Sequence, residues 1–326
     1  NDFMKALLCK QYGLPESLVV EEIAPLHPEK DQVVISVKAC GVNFPDTLII
    51  QGKYQFKPPF PFSPGGEVAG VVKEIGADVK HLQVGDNVFA MPGWGGFAEE
   101  LLVGANRTFK MPPNMDYAVA ASLMYTYGTS YHALKDRAQL KAGETLLVLG
   151  AAGGVGLAAV NLRKIIGAKV IAAEKKKKKL ALCREYGVDG LINYAKEDLR
   201  ESLKSLTGGG VDVVYDPVGG DYAEPALRAM NWKGRYLVVG FAAGQIPALP
   251  FNLALLKGCS IVGVFWGAFA EREPKVNFQN ILELFQFYQQ GTLKPYIQKT
   301  YSLVDAPLAL NDMLERRAMG KLVITP

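Results

Sequence analysis

Small residues spaced for contact with a phosphate group stand near the middle of the chain. Residues 150–156 read Gly-Ala-Ala-Gly-Gly-Val-Gly, and Ala151, Gly153 and Gly156 occupy the three positions of a G-x-G-x-x-G pattern. In this pattern the middle glycine lets backbone amides approach a pyrophosphate, and the last lets a helix pack closely on the preceding strand. Glu174 follows about 18 residues later, near the position of an acid that binds ribose hydroxyls. These residue types and spacings predict a dinucleotide site.

The elements around the glycines must hold them between a strand and a helix. Apolar runs at 145–149 and 169–173 predict two strands, and the residues between the turn and the second run have a helical pattern. This order directs the helix N-terminus at the phosphates. A tight turn in another kind of α/β protein is the alternative, and the second strand with its terminal acid favours the dinucleotide site.

Further apolar segments after this unit extend the predicted sheet. They are separated by helical patterns and lie at 190–194, 211–216, 235–240 and 260–266. Six strands with right-handed helical crossovers predict a doubly wound parallel sheet in an α/β fold. A cofactor of such a sheet binds at the carboxyl ends of the strands.

The first third of the chain and its tail have other patterns. Short β-branched or apolar runs at 33–39, 66–72 and 86–90 are separated by Gly, Pro and Asp, which predicts a partly open β-barrel. An amphipathic helix at 277–288 and a strand at 320–324 follow the parallel sheet. We expect this tail to return to the barrel. The predicted domains are therefore 1–122 with 266–326, and 123–265.

Composition and charge narrow the class of protein. The 326 residues carry a net charge of +4, and five positive charges lie together at 175–179, so the remaining surface lacks the broad basic face that nucleic acids need. Four scattered cysteines are typical of free thiols in a reducing compartment. No apolar run reaches the ~18 residues of a membrane span, and the N-terminal residues lack a signal-peptide pattern. We expect a cytoplasmic protein that binds neither nucleic acid nor membranes.

Several motifs in a fixed order carry a resemblance to a known family. They lie at 41–46, 64–72, 84–88, 120–123, 150–156 and 320–323. The chain resembles the medium-chain dehydrogenase/reductase superfamily, and within it the zinc-free quinone oxidoreductase, or zeta-crystallin-like, branch. The resemblance implies a GroES-like catalytic domain, a Rossmann domain, and a homodimer built across the Rossmann sheets.

Zinc-dependent members of this superfamily bind their catalytic metal with Cys, His and Cys. The matching positions here are Asn43, Gly66 and Met124, none of which is a usual zinc ligand. Residues 90–115, where a structural zinc lobe would need four cysteines, contain none. We therefore expect no metal. Without a Lewis acid, an alcohol is a poor hydride donor, whereas a quinone or an enone accepts a hydride more readily. The chemistry therefore favours a reductase of small hydrophobic quinones or α,β-unsaturated carbonyl compounds.

The resemblance implies catalytic roles for four side chains. Asn43 and Asp46 belong to a loop beside the nicotinamide, where Asn43 would bind the ribose or the substrate oxygen. Asp46 is expected either to act there or to hold the turn. Tyr54 would donate a proton or form a wall of the pocket, with water then supplying the proton. Tyr127 would contact the substrate or pack in the core.

The resemblance also implies a set of cofactor contacts. Besides Asn43 they are Thr129, Ala152, Gly153, Gly154, Val155, Val218, Gly240, Phe241, Ala242, Phe265, Trp266, Gly267 and Lys321. Four of these have alternatives: Thr129 as a helix cap, Phe265 and Trp266 at a dimer interface, and Lys321 at a solvated end.

The choice between NADPH and NADH rests on residues that disagree. Lys179 matches a lysine that grips the 2′-phosphate of NADPH in relatives, Lys175 adds charge beside it, and Tyr194 matches a tyrosine near the adenosine. Glu174 points to NADH, because an acid at this place binds ribose hydroxyls and repels a 2′-phosphate. We favour NADPH, because a phosphate dianion relieves the repulsion within the lysine run, and keep NADH open.

Two other functions remain open at this point. A 2-enoyl thioester reductase of the same superfamily needs a basic patch for the phosphate of coenzyme A, and the lysine run is the one clear candidate. A non-catalytic NADPH- or RNA-binding protein, as some zeta-crystallin relatives are, is disfavoured for RNA by the low charge outside that run.

Overall fold

The computed structural model describes residues 2–326, which form two compact units. One unit continues through Tyr125 and resumes at Pro295–Pro326, and the other is Thr126–Lys294. No helix in residues 2–326 is both long and apolar enough to cross a membrane.

The chain begins with the strands of the first unit. They are β1 (Met4–Leu8), β2 (Val19–Ile23), β3 (Gln32–Val42), β4 (Glu67–Ile75), β5 (Asn87–Ala90), β6 (Glu100–Gly104) and β7 (Thr108–Lys110), with helix α1 (Phe44–Ile49) after β3 and α2 (Tyr117–Tyr131) after β7.

The second unit alternates strands and helices. Its strands are β8 (Thr145–Leu149), β9 (Lys169–Glu174), β10 (Gly190–Asn193), β11 (Val211–Asp216), β12 (Met230–Val238) and β13 (Ser260–Gly263). Its helices are α3 (Gly154–Ile166), α4 (Lys177–Glu185), α5 (Leu199–Thr207), α6 (Ala223–Arg228), α7 (Asn252–Lys257), α8 (Trp266–Arg272) and α9 (Pro274–Gln289). The tail adds β14 (Ile297–Ser302), α10 (Ala306–Leu314) and β15 (Lys321–Thr325).

The first unit is built around β3, a long strand with neighbours on both sides. The sheet order is β14-β15-β3-β4-β5-β7, with β6 also paired to β3, and every pairing except β14–β15 is antiparallel. Buried apolar side chains from β3, β4, β6 and β15, such as Ile35, Val68, Leu101 and Leu322, fill one continuous core. This is the predicted GroES-like barrel.

The second unit contains the predicted doubly wound sheet. Its order is β10-β9-β8-β11-β12-β13 and every pairing is parallel. The predicted strand at 260–266 is wrong in its last part, because pairing ends where Val238 of β12 meets Gly263 and α8 begins at Trp266.

The predicted return to the first domain at residue 266 differs from the observed division at Lys294/Pro295. Helices α8 and α9 stay with the second unit because they pack on the segment after α2. The His132 ring stacks on Phe269 with ring centroids 3.7 Å apart, and Lys135 donates to Asn280 at 2.8 Å. The first boundary, predicted between 122 and 123, falls after Tyr125.

Candidate dinucleotide and active site

The glycine turn joins β8 to α3 in the second unit. Gly150 has a positive φ of 60°, and Gly153, the N-cap residue of α3, has no side chain with which to cap the helix. A Cβ on Gly156 would lie 3.0 Å from the carbonyl carbon of Gly150 and closer still to its oxygen, so only glycine fits there. The first amides of α3 have no acceptor within the helix and face outward at its positive end. The turn therefore has the geometry that a pyrophosphate needs.

Glu174 ends β9 and is turned toward this glycine turn. Its side chain is 5% exposed. The Ala152 amide donates to Oε2 at 3.0 Å, and the Lys175 amide donates to Oε1 at 3.2 Å. Both carboxylate oxygens thus already accept a backbone hydrogen bond, an orientation that sequence spacing does not reveal.

Two tyrosines and a lysine meet where β9 and β10 end. The rings of Tyr194 and Tyr222 have centroids 4.2 Å apart, and the Lys175 ammonium lies 5.8 Å and 5.0 Å from them, respectively. Burial and the charge of Glu174 raise the pKa of Tyr194. Tyr194 and Lys175 were predicted from the sequence, whereas Tyr222 was not, because it belongs to no motif.

Asp216 organises the loop after β11 and was also missed. Its Oδ1 accepts from the amides of Val218 and Gly219, each at 2.8 Å, and the Tyr236 hydroxyl donates to Oδ2. Val218 lies against the glycine turn, since a Cβ on Gly150 would meet its methyl group at 2.9 Å.

The loop after β12 is tied to the loop after β11. The Ala242 amide donates to the Pro217 carbonyl at 3.0 Å, and the Gly240 amide donates to the Asp216 carbonyl at 3.3 Å. Phe241 between them is 38% exposed. The predicted residues Val218, Gly240, Phe241 and Ala242 are therefore close together at the carboxyl ends of neighbouring strands.

Thr129 and Tyr127 lie inside α2. This helix starts at Tyr117, so the helix-capping alternative for Thr129 is wrong. Tyr127 is 3% exposed, its hydroxyl donates to Asn161 at 2.7 Å, and burial raises its pKa well above the ordinary range. This placement favours the core-packing alternative over a substrate contact.

Phe265 and Trp266 have opposite surroundings. Phe265 is 57% exposed at the N-cap of α8, whereas Trp266 is 8% exposed. A Cβ on Gly128 would lie 3.0 Å from the Trp266 ring, so the indole packs on α2 at its glycine. Gly267 follows Trp266 in the first turn of α8 and is exposed.

A buried polar cluster in the first unit contains Asn43, Glu67 and Lys321. Lys321 is 4% exposed, so the solvated-end alternative is wrong. Its ammonium donates to Asn43 Oδ1, lies 2.9 Å from Glu67 Oε1, and lies 5.6 Å from the ring centroid of Tyr125. Asn43 Nδ2 donates to Glu67 at 3.1 Å, and Glu67 Oε2 accepts the Tyr125 amide at 3.0 Å. The Asn43 amide is thus held in one orientation.

Asp46 borders this cluster at the start of α1. Its carboxylate accepts the amides of Asn43 at 2.8 Å and Gly65 at 3.2 Å, so it does hold the turn. Burial raises the pKa of Asp46 to about 7, although these amides and Lys321 act in the opposite direction.

Tyr54 belongs to an aromatic surface of the first unit, defined here as Tyr54, Phe56 and Trp94. Phe56 meets Tyr54 edge-on at 5.2 Å between centroids and Trp94 at 6.2 Å. Phe56 is 45% and Trp94 38% exposed. Burial, followed by the charge of Asp46, raises the pKa of Tyr54.

Metal ligands are not assembled in the part of the chain that the structure describes. No three His, Cys, Asp or Glu side chains there are grouped to hold a metal ion. At the positions that match zinc ligands, the Asn43 side chain is hydrogen-bonded to Lys321 and Glu67, Gly66 has no side chain, and Met124 is buried. These residues do not fit a zinc ion.

The fold and the turn define a dinucleotide-binding oxidoreductase with a GroES-like domain. A family model described as an alcohol dehydrogenase GroES-like domain matches residues 29–113, and one described as zinc-binding dehydrogenase matches residues 154–285. The chain belongs to the medium-chain dehydrogenase/reductase superfamily, in its quinone oxidoreductase branch, as the motifs predicted.

Individual relatives agree with this assignment. Quinone oxidoreductase-like protein 2 homolog from Nematostella vectensis is 39% identical over 325 residues, which cover 98% of this chain and 88% of the relative. Quinone oxidoreductase from Rattus norvegicus is 33% identical over 328 residues, which cover 98% of this chain and 97% of the relative. The crystal structure of Escherichia coli quinone oxidoreductase complexed with NADPH has a TM-score of 0.91 at 29% identity and covers 99% of both chains.

Proposed function

We propose that this protein is an NADPH-dependent reductase that transfers a hydride to quinones or α,β-unsaturated carbonyl compounds without a metal. The observation that carries the proposal is the glycine turn, whose helix N-terminus is open while Glu174 is turned onto the turn itself. Half-buried Lys175 and Lys179 provide positive charge for a 2′-phosphate beyond it. The NADPH complex of the E. coli relative supports this choice of cofactor.

The second unit holds the cofactor in this proposal. Bound NADPH supplies the hydride. The amides of Gly153, Gly154 and Val155 bind the pyrophosphate. We assign contacts with the nicotinamide half to Thr129 and to the residues that follow β11, β12 and β13, which are Val218, Gly240, Phe241, Ala242, Phe265, Trp266 and Gly267.

The first unit provides the groups proposed to act on the acceptor. Asn43 Nδ2 has a second hydrogen besides the one given to Glu67, and we assign it to the acceptor oxygen. Lys321 donates to the oxygen of the same amide, so its charge stabilises negative charge that develops on the acceptor. Asp46 holds the loop that carries Asn43.

The aromatic surface of Tyr54, Phe56 and Trp94 supports a planar acceptor. Partly exposed rings that meet edge-on, as Tyr54 and Phe56 do, or tilted, as Phe56 and Trp94 do, leave faces on which a flat conjugated molecule can stack. Tyr54 forms a wall in this proposal, and water supplies the proton.

We further propose that two copies associate through their Rossmann sheets. Among the described residues, 2–326, strand β13 is an edge strand that pairs with β12 alone. Exposed apolar side chains lie within β13 and in the chain segments on either side of it, among them Phe251, Leu255, Leu256, Ile261 and Phe265. An open edge beside apolar surface is suited to pairing with a second copy.

The test follows oxidation of NADPH and NADH with 1,4-benzoquinone, 9,10-phenanthrenequinone and a simple enone, with and without a chelator. We expect turnover with NADPH that the chelator does not affect. Asn43→Ala should lower kcat by about 100-fold, as does removing one donor to a developing oxyanion, and leave NADPH binding unchanged. The control Asn106→Ala, at an exposed position, should match the wild type. No NADPH oxidation with any acceptor would refute the proposal.

A further inference from the structure

The five lysines at 175–179 are not equivalent in the structure. Lys177 and Lys178 are exposed, whereas Lys175 is half-buried and its ammonium lies 5.0 Å from the ring centroid of Tyr222 and 5.8 Å from that of Tyr194. Both distances lie within the range of cation–π attraction. We call these two rings the tyrosine seat. The ammonium of Lys175 therefore has a defined resting position.

The tyrosine seat is attached to the glycine turn. The Tyr194 amide donates to the Glu174 carbonyl at 3.2 Å, and the Glu174 side chain accepts from the Ala152 amide of the turn at 3.0 Å. The rings of the seat are 4.2 Å apart and tilted by 40°, so each limits the movement of the other. An ammonium on the tyrosine seat consequently keeps a fixed position relative to the amides proposed to bind the pyrophosphate.

The charge on Lys175 has no anionic partner in the part of the chain that the structure describes. No carboxylate there lies within ion-pair distance of its ammonium. Glu174, its neighbour, directs its oxygens to the amides of Ala152 and Lys175 instead. A phosphate dianion that reached Lys175 would replace a weak contact with ring faces by a charge-assisted hydrogen bond.

We propose that Lys175, resting on Tyr194 and Tyr222, discriminates NADPH from NADH by pairing with the 2′-phosphate, and that Glu174 positions the glycine turn for both dinucleotides alike. The inference rests on the proposed use of NADPH. It reverses the role that spacing suggests for Glu174, because an acid that braces the turn neither selects ribose hydroxyls nor opposes the phosphate.

The experiment measures the Kd of NADPH and of NADH for the full chain by the change in nucleotide fluorescence on binding, at one fixed salt concentration. Lys175→Met should weaken NADPH by at least 10-fold and change NADH by less than 2-fold. Lys175→Arg should retain the preference. Lys178→Met, which removes an equal charge from an exposed position of the same run, is the matched control and should behave as the wild type.

Further variants separate the role of the tyrosine seat from that of Glu174. Tyr222→Leu should weaken NADPH several-fold more than NADH, whereas Tyr222→Phe, which keeps the ring, should not. Glu174→Gln keeps one acceptor oxygen and places a donor against a backbone amide, so both Kd values should rise by the same factor and their ratio should hold. Thermal unfolding midpoints show which variants remain folded.

Each result bears on a separate statement. If the wild type prefers NADPH but Lys175→Met keeps that preference, or if Lys179→Met alone removes it, the inference is overturned and the proposed function stands. If Glu174→Gln changes the ratio of the two Kd values, Glu174 is a selecting residue and the inference is wrong. A wild type that binds NADH as tightly as NADPH overturns both the inference and the proposed cofactor preference.

Discussion

A buried ammonium is the least expected residue of the first unit. Lysine is almost never fully buried unless it is paired, because its charge loses water on burial. Lys321 is compensated by Glu67 at 2.9 Å, by the oxygen of Asn43 and by the ring of Tyr125. Removing one member of such a cluster leaves the others buried without a partner, so the Asn43 amide owes its orientation to residues far away in the chain.

At the same scale, Asp46 should make stability depend on pH. Burial raises its pKa from 3.8 to about 7 in the folded protein. Between these values the native state holds a proton that the unfolded chain releases, so this group stabilises the fold below pH 4 and the contribution is lost as pH rises through about 7. The slope is at most about 1.4 kcal/mol per pH unit, and urea unfolding midpoints from pH 4.5 to 8 measure it.

The variant Asp46→Asn cannot titrate, so the decline with pH should become shallower even if the variant is less stable throughout. Asp31→Asn, at an exposed position, serves as the control and should keep the wild-type slope. An unchanged slope in Asp46→Asn would show that another group is responsible.

Two glycine substitutions in the strand–turn–helix element from β8 to α3 should separate its contribution to stability from its contribution to NADPH binding. Gly156→Ala places a methyl group 3.0 Å from the carbonyl carbon of Gly150 and 3.1 Å from Cα of Ala151, and backbone must move. We expect it to lose about 1–3 kcal/mol of stability, together with NADPH affinity. Gly153→Ala meets nothing closer than 3.4 Å at an ordinary φ of −73°, so it should fold normally.

Binding separates the two variants, because the methyl group of Gly153→Ala would stand where the phosphates approach. Its NADPH affinity should fall by at least 10-fold, or about 1.4 kcal/mol, without a matching loss of stability. Nucleotide fluorescence titration and urea unfolding of both variants give the comparison. Equal stability losses, or an unaffected affinity in Gly153→Ala, would contradict the assignment of the two glycines.

Elements were predictable from the sequence where their signal is local. The apolar runs of β8 and β11, at Thr145–Leu149 and Val211–Asp216, were predicted with their observed bounds, because a strand buried on both faces is continuously apolar. The end of β13 was not predicted correctly, because it depends on where its partner strand β12 ends. The direction of the Glu174 side chain and the burial of Lys321 likewise depend on contacts that no local pattern encodes.

At the scale of the whole molecule, the open edge at β13 predicts a dimer. A two-fold axis at this edge would pair the two β13 strands and cover Ile261, which is 40% exposed. Light scattering coupled to size-exclusion chromatography should give twice the mass of the chain. Ile261→Lys should shift the protein to monomer, whereas Val276→Lys, at a similarly exposed site on α9, should not. A monomeric wild type at micromolar concentration would exclude this interface.

The pairing of β15 with β3 joins segments that the ribosome synthesises far apart in time. Asn43 and Lys321, joined at the end of β3 and the start of β15, are 278 residues apart, and all of Thr126–Lys294 is translated between them. The second unit is continuous and has all its strands before β15 emerges, so we expect that it can fold before the first unit is complete. Until then the end of β3 that pairs with β15 has no partner and Glu67 lacks Lys321, so we expect the nascent first unit to be the part of the chain more prone to pairing with the wrong strand.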